Sequence, residues 1–281
     1  MQKIAIITDS SCDLNKEDRE KYGIFSLPLR IIYKNKEYLD YVNITPQEIY
    51  DNFEKEIPTT SLPCSAYINT LFDQLENEGY THVIGIFISQ ALSGTFNAVR
   101  LQIEERTKFK YHLFDSKTVG HPMGLMAIKC CDLIKEGKNF DELVALLPTI
   151  RENTYGYFTV NTLEYLKAGG RIGKVAGAIG DMLNLKPIIT VDKEGAYITA
   201  AKARGRKKAL KGISDIATKI IDESPCEFHI LHGNALEEAT LIYDALKNHP
   251  NIKKVSIEHI GPAIGIHTGP KLIGFSLLKE F

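Results

Sequence analysis

Three times in the first half of the chain, a short apolar run stops at a cluster of hydroxyl and acidic side chains and gives way to a helical pattern. Residues 3–8 lead into Asp9-Ser10-Ser11-Cys12-Asp13 and a short helix ending near Gly23. Residues 82–89 precede a helix from about Leu92 to Thr107, and residues 111–116 precede one from Met123 to Glu136. Unalternated apolar runs between helices mark buried strands of an α/β layer structure. Loops after parallel strands gather at one sheet edge, where side chains and helix N-terminal amides face a ligand together. Residues 9–11, 89–95 and 115–118 are therefore expected to share a cleft. Taken singly, each segment reads equally as a helix cap or turn.

The second half repeats the chemistry less regularly. Tyr155–Thr159 reads as a strand, and Thr162–Leu166 begins a helix before the Gly169-Gly170 break. Residues 173–200 read as helix, strand, turn and strand. A helix follows from about Lys208 to Glu223, with Ile213, Ile216, Ala217, Ile220 and Ile221 at helical spacing. A strand at 227–231, a helix from Ala235 to Lys247 and strands at 254–259 and 272–278 complete an α/β sandwich with some antiparallel pairing. At 281 residues the chain has about twice the usual length of one domain. Two domains are expected, residues 1–155 and 156–281, with a ligand cleft between them.

Charge excludes some functions. Thirty-four Lys plus Arg against 35 Asp plus Glu give a net charge of −1, so no general attraction to nucleic acid or an anionic membrane is expected. The dense basic block, Lys202, Arg204, Arg206, Lys207, Lys208 and Lys211, reads as a solvated helix start or as a contact for an acidic partner, an anionic surface or a phosphorylated ligand. Five cysteines without a C-x-x-C pair argue against a disulfide framework and for a reducing cytoplasm. The opening residues carry only a short apolar run before Asp9, and no stretch approaches about 18 apolar residues, so a soluble intracellular protein is expected. His229 and His232 are three apart, His259 and His267 eight apart, and no H-E-x-x-H occurs, so no metal is expected.

Nucleotide and hydrolase motifs fail. In the segment GGRIGK, Lys174 is followed by Val175, not by the Ser or Thr of a phosphate loop, and no G-x-G-x-x-G opens the first helix. Arg171 and Lys174 there suit either an anion at a domain boundary or a helix end and solvated turn. G-x-S-x-G is absent as well. Ser93 and His267 can make a nucleophile and base for a small-ligand hydrolase or transferase, although spacing supplies neither an orienting residue nor an oxyanion site. Carboxylate recognition requires less: Thr60, Ser61, Ser93 and Thr95 hydroxyls, nearby N–H groups and His267 can surround two oxygens while an apolar tail lies behind. For Thr60-Ser61 the alternative is a helix cap before Pro63, and for His267 a satisfied structural histidine.

Several segments carry a family resemblance: IITDSSCDL at 6–14, TTSLP at 59–63, Ala91 to Thr95, Phe114 to Lys117, LKAGGRIG at 166–173, residues 184–210 and IGPAIGIHTGP at 260–270. In order and spread over nearly the whole chain, they resemble the DegV family of fatty-acid-binding proteins. That resemblance implies a two-domain α/β architecture holding one long-chain fatty acid between the domains, with no cofactor and no catalysis by the chain itself. Thr60, Ser61, Ser93 and His267 match the family's carboxylate-binding positions, with Gly94 and Thr95 as additional contacts and Arg171 as a ligand or partner contact. The resemblance further implies a separate ATP-dependent fatty-acid kinase as partner, acyl-phosphate-using membrane enzymes downstream and transient membrane association. Arg204 and Arg206 are expected to face the partner. A regulatory interaction module is the non-enzymatic alternative. GHPMG at 120–124 and Lys271 depart from the family pattern, the latter standing where glycine is common.

Overall fold

The computed structural model describes residues 2–178 and 184–281. In chain order it runs β1 (Ile4–Asp9), α1 (Lys16–Tyr22), β2 (Ile24–Leu27), β3 (Arg30–Ile32), β4 (Glu37–Leu39), α2 (Pro46–Asn52), β5 (Thr59–Ser61), α3 (Ser65–Asn77), β6 (His82–Phe87), α4 (Thr95–Ile103), β7 (Lys110–Asp115), α5 (His121–Lys135) and α6 (Phe140–Glu152). It continues with β8 (Thr154–Thr159), α7 (Glu164–Ala168), β9 (Leu185–Val191), β10 (Tyr197–Arg204), α8 (Arg206–Ile221), β11 (Cys226–Gly233), α9 (Leu236–Leu246), β12 (Ile252–His259), α10 (Pro262–Thr268) and β13 (Leu272–Lys279).

The first sheet has the order β2-β1-β6-β7 and is parallel throughout. Its central strand explains the unalternated apolar runs. Ala5 and Ile7 of β1 pack with Phe72 of α3 and Val99 of α4, whereas Ile6 packs with Met123 of α5 and Leu143 of α6. Both faces of the sheet are therefore dry, and β1 stays apolar from Ile4 to Ile7 before it ends at Thr8 and Asp9.

The second sheet has the order β10-β9-β8-β13-β11-β12, antiparallel except for the β11/β12 pair. One face is covered by α8 and α9, whose Ile213, Ala217, Ile242 and Leu246 pack on Phe228 and Phe275. The other face meets α5, which contacts β1 and β6 of the first sheet and β8 and β13 of the second. This double contact accounts for a helix that is apolar almost all round, with Met123, Leu125, Met126, Ala127, Cys130 and Cys131 all buried. All five cysteines are free.

A small antiparallel sheet, β4-β3-β5, leans across the two halves, where Ile31 and Ile49 pack on Ile266 of α10. Three-residue strands leave almost no periodic trace, and Thr60-Ser61, for which a helix cap was the alternative reading, lies in strand β5; α3 begins at Ser65 behind Cys64. The helix expected from Leu92 begins only at Thr95, because Leu92 and Ser93 N–H groups turn back to the Ser89 carbonyl. The helix expected after residue 173 is a short 3-10 segment over Gly173–Ala178, and its remainder lies outside the described residues. No described helix is long and apolar enough to cross a membrane.

Candidate functional site

The polar loops after β1, β6 and β7 meet as their positions at one sheet edge require. Asp9 ends β1 wholly buried, accepting from the Ser11 N–H at 3.0 Å, the Ser11 hydroxyl and the Ile88 N–H at 3.0 Å. Ser89 N–H donates to the Thr118 carbonyl at 2.9 Å. Two further buried carboxyls reach the second half. Asp13 accepts from Gly261 N–H at 2.9 Å and Asp40 from Ala263 N–H at 3.1 Å, which holds the start of α10. Burial raises all three carboxyls, Asp40 to about 7 and Asp13 well above the usual carboxylate range, against the hydrogen bonds that pull them down.

So anchored, α10 delivers His267 to a cavity of about 210 Å³ between the halves, lined also by Thr60, Ser61, Ser93 and Arg171. The Thr60 Oγ1 lies 2.7 Å from His267 Nε2. Burial first, then the Arg171 charge, lowers His267 to about 4, so its ring is neutral near pH 7. With its proton on Nε2, His267 donates to Thr60 and leaves the threonine hydroxyl proton for an acceptor in the cavity. His267 Nδ1 is buried without a partner, and a Cβ on Gly169 would reach within 2.1 Å of it. The glycine is what lets the imidazole sit there.

The remaining hydroxyls are poised similarly. Arg30 Nη2 donates to Ser61 Oγ at 3.0 Å, and its Nε donates to the Leu62 carbonyl at 3.2 Å, leaving the serine proton free. Ser93 Oγ accepts from Thr95 N–H at 3.3 Å and lies 2.9 Å from Thr95 Oγ1. Thr95 is fully buried behind Ser93 and does not line the cavity; Gly94, exposed, caps α4 without a side-chain bond. Arg171 bonds the Leu92 carbonyl at 3.3 Å and the Gly169 carbonyl at 2.6 Å, bridging the halves at the cavity wall. The field of Arg30, Arg171 and the α4 N-terminus favours an anion here.

A narrow apolar cavity of about 50 Å³ adjoins the first, sharing Val119, Tyr197, Ile264 and Thr268, and is walled by Phe158, Leu231, Ile260, Leu272 and Phe275. Polar donors at one end and an apolar bore behind them suit an amphipathic acid. A hydrolytic triad is not assembled among the described residues. Ser93 bonds Thr95, His267 bonds Thr60, and no carboxylate accepts from His267 Nδ1.

Of the expected partner-facing cations, Arg204 is exposed at the end of edge strand β10, but Arg206 is not free. Its Nε donates to Glu238 Oε1 at 3.1 Å and its Nη2 bonds Oε2, with the side chain largely covered. Ser11, in the segment expected to share the cleft, lines the cavity, whereas sequence reasoning missed Tyr197 there, Arg30 behind Ser61 and the Asp13 and Asp40 anchors. The alternation of Arg30 and Ile31 was too short to signal a strand.

A family model described as uncharacterised proteins of the DegV family matches residues 3–280. The chain belongs to the DegV family. A DegV domain-containing protein of Clostridium perfringens is 56% identical over 280 residues, covering 100% of both chains. Among solved structures, a fatty-acid-binding DegV family protein from Thermus thermophilus superposes with a TM-score of 0.92 at 29% identity, covering 99% of this chain and 100% of its own. DegV from Bacillus subtilis, described as a fatty acid binding protein, also gives 0.92, at 28% identity and 100% coverage of both. A stearic acid-binding protein from Eubacterium ventriosum gives 0.89 at 28% identity, with 99% and 98% covered. The DegV fold also explains one departure from the family pattern: Lys271 stands at φ 65°, a backbone conformation that glycine adopts without strain.

Proposed function

We propose that this DegV protein is a non-catalytic carrier of one long-chain fatty acid, held between domains of residues 1–155 and 156–281, and that it presents the carboxylate to a separate ATP-dependent kinase. The Thr60–His267 bond carries the reading, because it joins the halves beside the cavity and, with the imidazole proton on Nε2, leaves the threonine hydroxyl proton for a ligand. Thr60, Ser61 and Ser93 donate to the carboxylate, His267 acts through Thr60, Thr95 and Gly94 shape the Ser93 turn, and Arg171 adds positive charge. The tail enters the adjoining apolar cavity, which widens to take it. Burying about fourteen methylenes gains roughly 11 kcal/mol before the costs of ordering and association, so the tail dominates affinity and the head group sets orientation.

The relatives described as fatty-acid-binding support the ligand class. The sequence contains no G-x-x-x-x-G-K-[ST] loop, which fits phosphate transfer by another chain. That partner makes an acyl phosphate, consumed by membrane enzymes, and the carrier works in the cytoplasm with transient membrane contact. Arg204, with neighbouring exposed Lys202, is the partner-facing cation of this reading.

Native mass spectrometry of the mildly purified protein tests the carrier directly. A retained acid of long chain length, lost on delipidation and restored on reconstitution, is expected. Repeated failure to load a long-chain acid would remove the proposal, and hydrolysis or transfer by the isolated chain would replace it with an enzyme.

A further inference from the structure

We propose that the protein binds one divalent transition metal ion, Zn²⁺ by its donor set, through His121 of α5, His229 of β11 and Glu258 of β12, tying α5 to the second sheet. One ligand atom from each of the three lies within 4.8 Å of the others. The two imidazole rings are tilted at 51° with centroids 4.8 Å apart, and His121 and His229 are only 3% and 2% exposed.

The hydrogen bonds around the pair fix which nitrogen is available. Ser256 donates its hydroxyl to Glu258 Oε1, so its oxygen can only accept from His229 Nδ1, 2.7 Å away. The His229 proton is then on Nδ1, and Nε2 carries a bare lone pair. That nitrogen is buried with no hydrogen-bond partner. The Glu227 carboxylate, 3.7 Å off, is too far for a hydrogen bond and is itself an acceptor. A lone pair in a dry interior calls for a cation. His121 Nδ1 lies 2.8 Å from Ser276 Oγ, which turns its other nitrogen away from that serine. Serine oxygens beside one nitrogen of each imidazole, next to a carboxylate, are the support that metal-ligating histidines use. Lys254, the nearby cation that opposes a metal ion, is turned to Glu227 at 3.6 Å.

The backbone is built for this approach. Gly156, Ser276, His229 and Ser256 lie opposite one another on neighbouring strands β8, β13, β11 and β12. The small residues of that row, Gly156, Ser276 and Ser256, let α5 close on the sheet: a Cβ on Gly156 would fall 2.6 Å from Pro122. Gly120 and Pro122, flanking His121, line the apolar cavity, as does Leu231 of β11. An ion at the triad therefore fixes one wall of that cavity. Metal binding itself does not depend on what the cavity holds.

The test titrates chelator-stripped, full-length protein with Zn²⁺ alone by calorimetry and native mass spectrometry, and with Co²⁺ by visible absorption. One ion per chain, a raised melting temperature and a ligand-field spectrum are expected. Glu258→Gln and His121→Asn should each weaken Zn²⁺ binding by about tenfold or more, and Ser256→Ala by roughly tenfold through the tautomer of His229. Should His121→Asn fail to fold, Glu258→Gln and Ser256→Ala decide. Absence of stoichiometric binding overturns the proposal, as does affinity unchanged in Glu258→Gln and Ser256→Ala, which would put the ion elsewhere.

Discussion

Thr60 and His267 are 207 positions apart in the chain, yet the threonine Oγ1 lies 2.7 Å from the imidazole Nε2. One comes from a three-residue strand of the small sheet and the other from α10, whose first turn is held by Asp13 and Asp40. The donor that faces the cavity exists only when the small sheet is folded against the second half. On the proposed reading, head-group recognition therefore requires the two halves to be packed together.

The pair gives the first prediction. Thr60→Val keeps the shape but removes the hydroxyl, leaving His267 without its acceptor. Affinity for a long-chain fatty acid should fall by about tenfold to a hundredfold, as expected for hydrogen bonds to a charged group. His267→Gln should lose less, because its amide can still donate. Since the two side chains act through one bond, the double variant should be little worse than Thr60→Val alone. Displacement of a fluorescent fatty-acid analogue measures all three; wild-type affinity in Thr60→Val would end this assignment.

Gly169 offers a second test that touches no hydrogen-bonding group. Alanine there places a methyl 2.1 Å from the present position of His267 Nδ1, so the ring must move or the loop must open. Gly169 itself has φ −77°, so the substitution introduces no backbone strain and its effect is local crowding. Fatty-acid binding should drop by about tenfold or more, with the melting temperature changed far less than by a core truncation. Equal binding in Gly169→Ala would mean that the imidazole position is unimportant.

How much of this was legible in sequence depends on element length and on burial. β1, β6 and β7 stood out because a strand dry on both faces is an uninterrupted apolar run, and their terminal loops converge by topology alone. β3, β4 and β5 span three residues each, too few for any period, so Thr60 resembled a cap and Arg30 went unnoticed. α6 was missed although Asn139 and Glu142 form a capping box, a signal that sequence does carry. Arg206 looked free because nothing local marks Glu238, a turn of α9 away in space, as its partner. The His121, His229 and Glu258 cluster has no spacing to read, since its ligands meet only through the packing of α5 on the second sheet.

The two arginines of the basic block should now separate. Arg206→Glu sets a carboxylate against Glu238 in a partly covered site, and a loss of thermal stability is expected whatever the ligand state. Arg204→Glu changes an exposed charge, and its melting temperature should stay near wild type. In a coupled assay with the kinase, Arg204→Glu should raise the carrier concentration needed for half-maximal rate, with the difference shrinking at high salt. Fatty-acid affinity should be unaltered in Arg204→Glu; a change there would relocate its role to the ligand.

Buried titratable groups with opposite shifts make the last prediction one of sign. Asp40 is raised to about 7, so the folded state holds a proton that the unfolded chain has released above about pH 4. Its burial therefore weakens the fold progressively as pH rises from about 4 to 7, and acidification relieves roughly 4 kcal/mol. His267 is lowered to about 4, so the unfolded chain takes up a proton that the folded one refuses. Its burial costs nothing above pH 6.5 and roughly 3 kcal/mol by pH 4. The stability of Asp40→Asn relative to wild type should therefore decline as pH falls from 7 to 4, while that of His267→Gln should improve over the same span. Denaturant unfolding of the lipid-free protein at a series of pH values reads both differences. Parallel curves for wild type and His267→Gln would show that the imidazole charges freely in the fold, and the neutral donor assigned to it would have to be given up.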